Sequence, residues 1–197
     1  MENQAVLDEK DFQEEKRKKV AKPLMLFGMV SIVMLFAGLT SAVVVRKGDG
    51  NWLEFEIPSM FLYSCFVIAA SSIALILANW AAKNDKKQLV TTFVSSTFIL
   101  GFVFVYTQFQ GYSQLYEQEV FFTGAMHNAS GSFFYVISWV HLAHLAGGLI
   151  ALLVVFFNAL KGRYNSKNLL GLQVCSMYWH FLGGMWIYLY VFYRMII

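Results

Sequence analysis

The chain has 197 residues, 58% of them hydrophobic and 14% charged, with a mean hydropathy of +0.55 and a formal charge of +3. Soluble domains are about 45–50% apolar, so this composition points away from a soluble domain, and so small a charge gives no indication of a nucleic-acid partner. The two cysteines, Cys65 and Cys175, show no C-x-x-C or C-x-x-C-H spacing, which argues against a disulfide, a zinc site or covalent haem and leaves both as packing residues.

Residues 1–22 form a polar tail with six acids and six bases, expected to be mobile or only transiently helical. Its Lys16-Arg17-Lys18-Lys19 cluster lies where basic side chains meet anionic headgroups. The rest, 23–197, reads as one membrane domain with spans at about 23–45, 57–80, 90–109, 132–160 and 171–197, none containing Asp, Glu or Lys. Each has at least 20 residues, enough at about 1.5 Å per residue to cross a hydrocarbon core of roughly 30 Å. In lipid the backbone must satisfy its own hydrogen bonds, so these segments are predicted to be helices. The predicted fold is therefore an all-α, polytopic bundle of five transmembrane helices. The first span is much longer than a 7–15-residue signal h-region and lacks an A-x-A site, so it reads as uncleaved.

The charges orient the bundle. Twelve of the 15 basic residues fall in the tail, in the second connection (Lys83, Lys86, Lys87) and in the fourth (Lys161, Arg163, Lys167), against Arg46, Lys47 and Arg194 elsewhere. By the positive-inside rule the N-terminus is cytoplasmic and the C-terminus outside. The third connection, 110–131, carries Glu117 and Glu119 without Lys or Arg, as an external loop should. All 12 acids lie in the tail or the connections. A span that moves protons or cations usually keeps a carboxylate at membrane depth, so the chain does not read as the working pathway of a pump.

Polar residues concentrate in the last three spans. The third carries Gly101, Phe104 and Gln108; the fourth opens on Gly131-Ser132 and carries His141, His144 and Gly147-Gly148. The fifth carries Tyr178-Trp179-His180-Phe181, Gly183-Gly184 and Trp186, while His127 lies in the external loop. At 100° per residue His141 and His144 lie about 60° apart on one helix face. A b-type haem held by His144 and His180 is one reading, since a haem between helices takes one His from each of two spans. The ligand set is sparse, with no carboxylate or adjacent Cys, and it favours structural histidines bonded across helix contacts. The Gly pairs, with Ser71-Ser72 and Ser95-Ser96, read as sites of close helix approach. Trp52, Trp179 and Trp186 suit interfaces and lipid-facing clefts. The sequon Asn128-Ala-Ser130 is too short and common a pattern to carry weight.

Together these motifs resemble subunit III of the haem-copper cytochrome oxidases, over nearly everything after the tail. The family's H-x-x-H-V-x-x-G stands here as His141-Leu-Ala-His144-Leu-Ala-Gly-Gly148, its G-S-x-F as Gly131-Ser132-Phe133-Phe134, and its Y-W-H-F-V-D-x-V-W as Tyr178 to Trp186. Its G-x-x-F-x-x-x-Q falls on Gly101, Phe104 and Gln108, and its S-E-V-M-F-F-A-G on Ser31 to Gly38. The family's acidic positions are Ile32, Gly111 and Gly183 here, and an arginine that helps hold a phospholipid headgroup falls at Asn158, with Lys161 and Arg163 close by. Five spans correspond to the branch lacking the first two of seven helices.

The resemblance implies an accessory subunit without haem or copper of its own, those groups lying in partner subunits. It would dock chiefly on catalytic subunit I, with subunit II and other respiratory subunits nearby, in the cell inner (cytoplasmic) membrane. It would hold structural phospholipid and support proton entry while the complex reduces dioxygen and pumps protons; any carboxylate-dependent part of that role is in doubt here. A quinol-oxidising relative shares a five-helix subunit III, as does the accessory subunit linked to nitric oxide reductases, so the electron donor stays open.

Overall fold

The computed structural model describes residues 2–123, 128–166 and 168–197, with the side chains of residues 2–14, 17 and 18 outside that description. The predicted external His127 and the predicted cytoplasmic Lys167 lie outside the described residues. What is described is helical: α1 (Glu2–Gly48), α2 (Ser59–Lys83), α3 (Lys87–Glu117), α4 (Ala129–Leu160) and α5 (Leu170–Ile196), with an isolated bridge between Asn165 and Asn168.

Four of these helices contain a segment long and apolar enough to cross a membrane: Lys19–Gly48, Ser59–Lys83, Lys87–Glu117 and Ala129–Leu160. The fifth, α5, has 27 residues and so a length of about 40 Å. Gln, Ser, Tyr, Trp and His residues are spread along it, and it is absent from that set.

Three element ends differ from the sequence expectation. The tail forms the opening turns of α1, which runs through Pro23 without a break. Its Glu, Lys, Gln, Ala and Leu are strong helix formers, and the i,i+4 pair Glu15–Lys19 closes at 2.9 Å. At its far end α3 continues past Gln110 to Glu117. Gly111, counted within the third connection, is instead a packing position: a Cβ there would stand 2.6 Å from the Phe61 ring. And α4 starts before Gly131, because Asn128 caps it by accepting from Ser130 N at 3.1 Å.

The helices alternate in direction. Thr91 at the start of α3 donates to the Ala159 carbonyl at the end of α4, at 3.2 Å. Phe61 at the start of α2 packs on Tyr112 near the end of α3, and Lys47 donates to the Ile196 carbonyl, so the C-terminal ends of α1 and α5 meet. Neighbours α2–α3, α3–α4, α4–α5 and α5–α2 close a four-helix ring, and α1 lies outside it against α4 and α5. The ring encloses Phe61, Ile68, Phe104, Trp179, Leu182 and Trp186, all at most 1% exposed. By contrast α1 leaves Leu24, Phe27, Met34 and Val45 largely uncovered.

Candidate functional site

The motif residues sort into a dry seam and an open groove. The seam joins α2 and α5. Lipid tails are as apolar as leucine, so burial of apolar area does little to hold two membrane helices together; close packing and interhelical hydrogen bonds do that work. Here the bonds form a ladder. Trp186 Nε1 donates to Ser64 Oγ at 2.7 Å, and Trp179 Nε1 donates to Ser71 Oγ at 2.9 Å. Asn79 Nδ2 donates to Ser176 Oγ at 3.0 Å, and His180 Nε2 lies 3.0 Å from the same hydroxyl. Each α2 serine also donates to a carbonyl of its own helix, Ser64 to Phe61 and Ser71 to Ile68. The expectation for Trp179 and Trp186 is therefore corrected: at 0% and 1% exposure they are core residues, not interfacial or cleft-lining ones. Their indole N–H groups find partners inside the bundle, which removes the reason for a tryptophan to stay at the headgroup level.

Glycines make the seats for these rings. A Cβ at Gly101 would meet Leu149 at 2.8 Å and Trp179 at 3.0 Å; one at Gly148 would meet Leu182 at 3.0 Å; one at Gly131 would meet Val120 at 2.8 Å. At Gly183 it would meet Ile68 at 3.2 Å, so a position acidic in the resembled family is here a close α5–α2 contact. Gly184 is different, with nothing within 4 Å. Phe104 is fully buried, its ring edge-on to Trp186 at 5.6 Å.

The three intramembrane histidines have three different surroundings. His141 is buried between Phe36, Phe104 and Trp186. His144 is half-buried, and its Nδ1 donates to the Val140 carbonyl at 2.7 Å, while Tyr178 Oη donates to the carbonyl of His144 itself at 3.2 Å. His180 belongs to the Asn79–Ser176 chain and, with Phe181, lines a shallow apolar depression of about 390 Å³ between α1 and α5. Among the described residues no three His, Cys, Asp or Glu side chains group as metal ligands.

The groove lies at the other end of the bundle. Val20, Leu24 and Met25 of α1, Val154 and Asn158 of α4, and Gly171 and Val174 of α5 are among the residues enclosing about 980 Å³. Its walls are apolar and its mouth polar. Asn158 Oδ1 accepts from Arg163 at 3.1 Å, and Asn168 Nδ2 donates to the Arg163 carbonyl at 3.2 Å. Tyr164 closes the mouth beside Gly171, and burial raises its phenol pKa, opposed by its hydrogen bond to Asn158 and by the Arg163 charge. Of the three headgroup candidates, Asn158 lines the groove, Arg163 reaches it through Asn158, and Lys161 is exposed at the end of α4, apart from the lining. Sequence reasoning missed Tyr164 and Asn168, which sit in a short polar connection with no motif to mark them. Ser132 stands at the opposite end, where it donates to the Phe122 carbonyl at 2.8 Å.

A sequence model of the family described as cytochrome c oxidase subunit III matches residues 51–195. Among curated proteins, the chain is 27% identical over 167 residues to the cytochrome c oxidase subunit 3 of Corynebacterium diphtheriae, covering 81% of this chain and 80% of that one. It is 25% identical over 174 residues to the same subunit of Thermostichus vulcanus, covering 84% and 82%. A probable cytochrome c oxidase subunit 3 of Rickettsia prowazekii is 28% identical over 198 residues, covering 89% and 68%.

Proposed function

The chain belongs to the cytochrome c oxidase subunit III family, and from that premise we propose that it is the accessory, non-redox subunit of a respiratory haem-copper oxidase, holding phospholipid against catalytic subunit I. The membership makes it a membrane subunit of a complex with other oxidase subunits. The observation that carries the finer reading is the groove of about 980 Å³ between α1 and the α4–α5 pair. An apolar trough with an amide, a guanidinium and a phenol at one mouth matches an acyl chain capped by a polar, anionic headgroup, since guanidinium groups bind phosphate through paired N–H donors.

The remaining finer points follow the same reading. α5 spans the membrane as a fifth helix, because its buried positions run from Leu172 to Tyr193 along nearly its whole length. Lys19, Lys22, Lys83, Lys86, Lys87, Lys161 and Arg163 gather at the groove end, which is therefore cytoplasmic by the positive-inside rule. In this reading the C-terminus lies outside, in a multi-pass protein of the cell inner membrane. Haem and copper belong to the partner subunits, with subunit I the main contact and subunit II nearby. The uncovered apolar flank of α1 is suited to a joint made of lipid and partner helix. With Ile32 where the family has glutamate, any support for proton uptake is indirect, through retained lipid, shielding and the basic cytoplasmic edge.

The test is purification in mild detergent followed by phospholipid analysis. The chain is expected to travel with a many-spanning haem-copper subunit and to carry phospholipid that Asn158→Ala with Arg163→Ala depletes. Migration alone, under conditions that keep an oxidase active, refutes the assembly. Unchanged phospholipid content in the double variant refutes the groove as the lipid site.

A further inference from the structure

Gln108 of α3 and His141 of α4 are each 1% exposed, yet neither amide atom of Gln108 and neither ring nitrogen of His141 has a hydrogen-bond partner among the described residues. The phenol oxygen of Tyr112, one turn beyond Gln108, shares that condition. Two ring contacts bracket them in register. Phe104 meets His141 at 6.3 Å and Tyr112 meets Tyr135 at 5.6 Å, across helices that run antiparallel. Gln108 lies midway between Phe104 and Tyr112 and so falls level with the turn Ile137–His141. The Ser138 hydroxyl in that turn donates to the Phe134 carbonyl at 2.7 Å, and its oxygen, still able to accept, lies beside Tyr112.

These three side chains line successive turns of the α3–α4 seam with complementary groups: an amide with donors and an acceptor, an imidazole, and a hydroxyl. Apart from Trp52 Nε1, which packs against the core in the α1–α2 connection, the other buried polar side chains follow the rule that buried polar groups are paired. Trp179, Trp186, Ser64, Ser71, Thr97 and Tyr193 all have partners. Hydrocarbon supplies no substitute donor or acceptor, and ordered water is the usual third party that completes such sites in folded proteins.

We propose that the α3–α4 seam is a water-binding site, in which ordered water is held between Gln108, His141 and Tyr112 inside an otherwise dry bundle. Hydroxyl-radical footprinting by X-ray pulse in ¹⁸O-labelled water tests it on the complex purified in mild detergent, because bound water is split in place and oxidises the side chains it touches. His141 (1% exposed) and Tyr112 (8%) are expected to take label several-fold faster than Trp179 (0%), with His141 the matched comparison because Trp179 is equally enclosed, intrinsically more reactive and already bonded to Ser71. The paired change Gln108→Leu with His141→Phe should bring the Tyr112 rate down to the Trp179 level. Labelling of Tyr112 and His141 no faster than Trp179 in the unaltered protein overturns the proposal, and this comparison stands even where the variant does not fold. A direct Gln108–His141 hydrogen bond in a dry seam gives that result. Label on Tyr112 that persists unchanged in the folded double variant also overturns it.

Discussion

A tryptophan in a membrane protein has one donor that hydrocarbon cannot satisfy, and the usual solution is to stay near the headgroups. Trp179 and Trp186 take another, each donating to an α2 serine that has spent its own proton on a helix carbonyl. The signal was present in the sequence as two serines seven residues apart, Ser64 and Ser71, opposite two tryptophans seven apart. It was not legible, because nothing in one chain says which helix faces which. Double-mutant cycles of Trp186→Phe with Ser64→Ala, and of Trp179→Phe with Ser71→Ala, should each give a coupling between about 0.6 and 1.7 kcal/mol, the range for interhelical hydrogen bonds in membranes. Detergent-induced unfolding measures it; a coupling of zero means the indoles are held by packing alone. The glycines make a sharper contrast. Gly101→Ala forces a methyl to 2.8 Å from Leu149 and 3.0 Å from Trp179 and should destabilise by about 1–3 kcal/mol, as overpacked cores do. Gly184→Ala has nothing within 4 Å and should stay within about 0.5 kcal/mol of the parent or gain slightly from helix propensity. Equal unfolding midpoints for the two variants would contradict the packing described.

Helix existence was legible because runs of twenty apolar residues admit no other structure in lipid, whereas helix ends were not. The end of α3 lies beyond the apolar run that ends at Phe109, and only the Phe61 ring lying against Gly111 shows why the helix continues there with a glycine inside it. Asn128 shows the opposite. Its sequon carries no weight as a modification signal, yet the side chain joins two connections. It caps α4 through Ser130, accepts from Leu53 N at 3.3 Å and donates to the Asn51 carbonyl at 3.2 Å. Asn128→Ala removes the cap, at a cost of about 1–2 kcal/mol, and also frees the α1–α2 connection. Hydrogen exchange should then quicken both in the first turn of α4 and at residues 51–54. Faster exchange confined to α4 would mean that the cap is local and that the cross-link between the two connections contributes nothing.

At the scale of the molecule, the four-helix ring and the outlying α1 divide the labour. The ring is sealed by Trp–Ser bonds and glycine seats, while α1, resting on α4 and α5 alone among the described helices, leaves a trough that opens toward the basic end. The basic edge was legible from charge counting. The trough was not, because its polar mouth comes from Tyr164 and Asn168 in a connection whose path no periodicity fixes. Basic residues near a membrane surface attract anionic headgroups at about 1 kcal/mol each, so in the proposed reading lipid entering the trough is held at its head by the edge and along its chain by α1. Such a subunit has no carboxylate in the first span with which to pass protons, and the role proposed for it in a complex is durability. Stripping it from the oxidase should leave the initial rate of oxygen reduction near the parent value and shorten the time over which that rate is kept during continuous turnover. The Asn158→Ala, Arg163→Ala variant, still assembled, should fall between the two if lipid in the trough is the reason. Oxygen-electrode traces over many turnovers decide it: an inactivation rate unchanged by clean removal of the subunit sinks the protective role, and a double variant as durable as the parent assigns the protection to the helices rather than to the lipid.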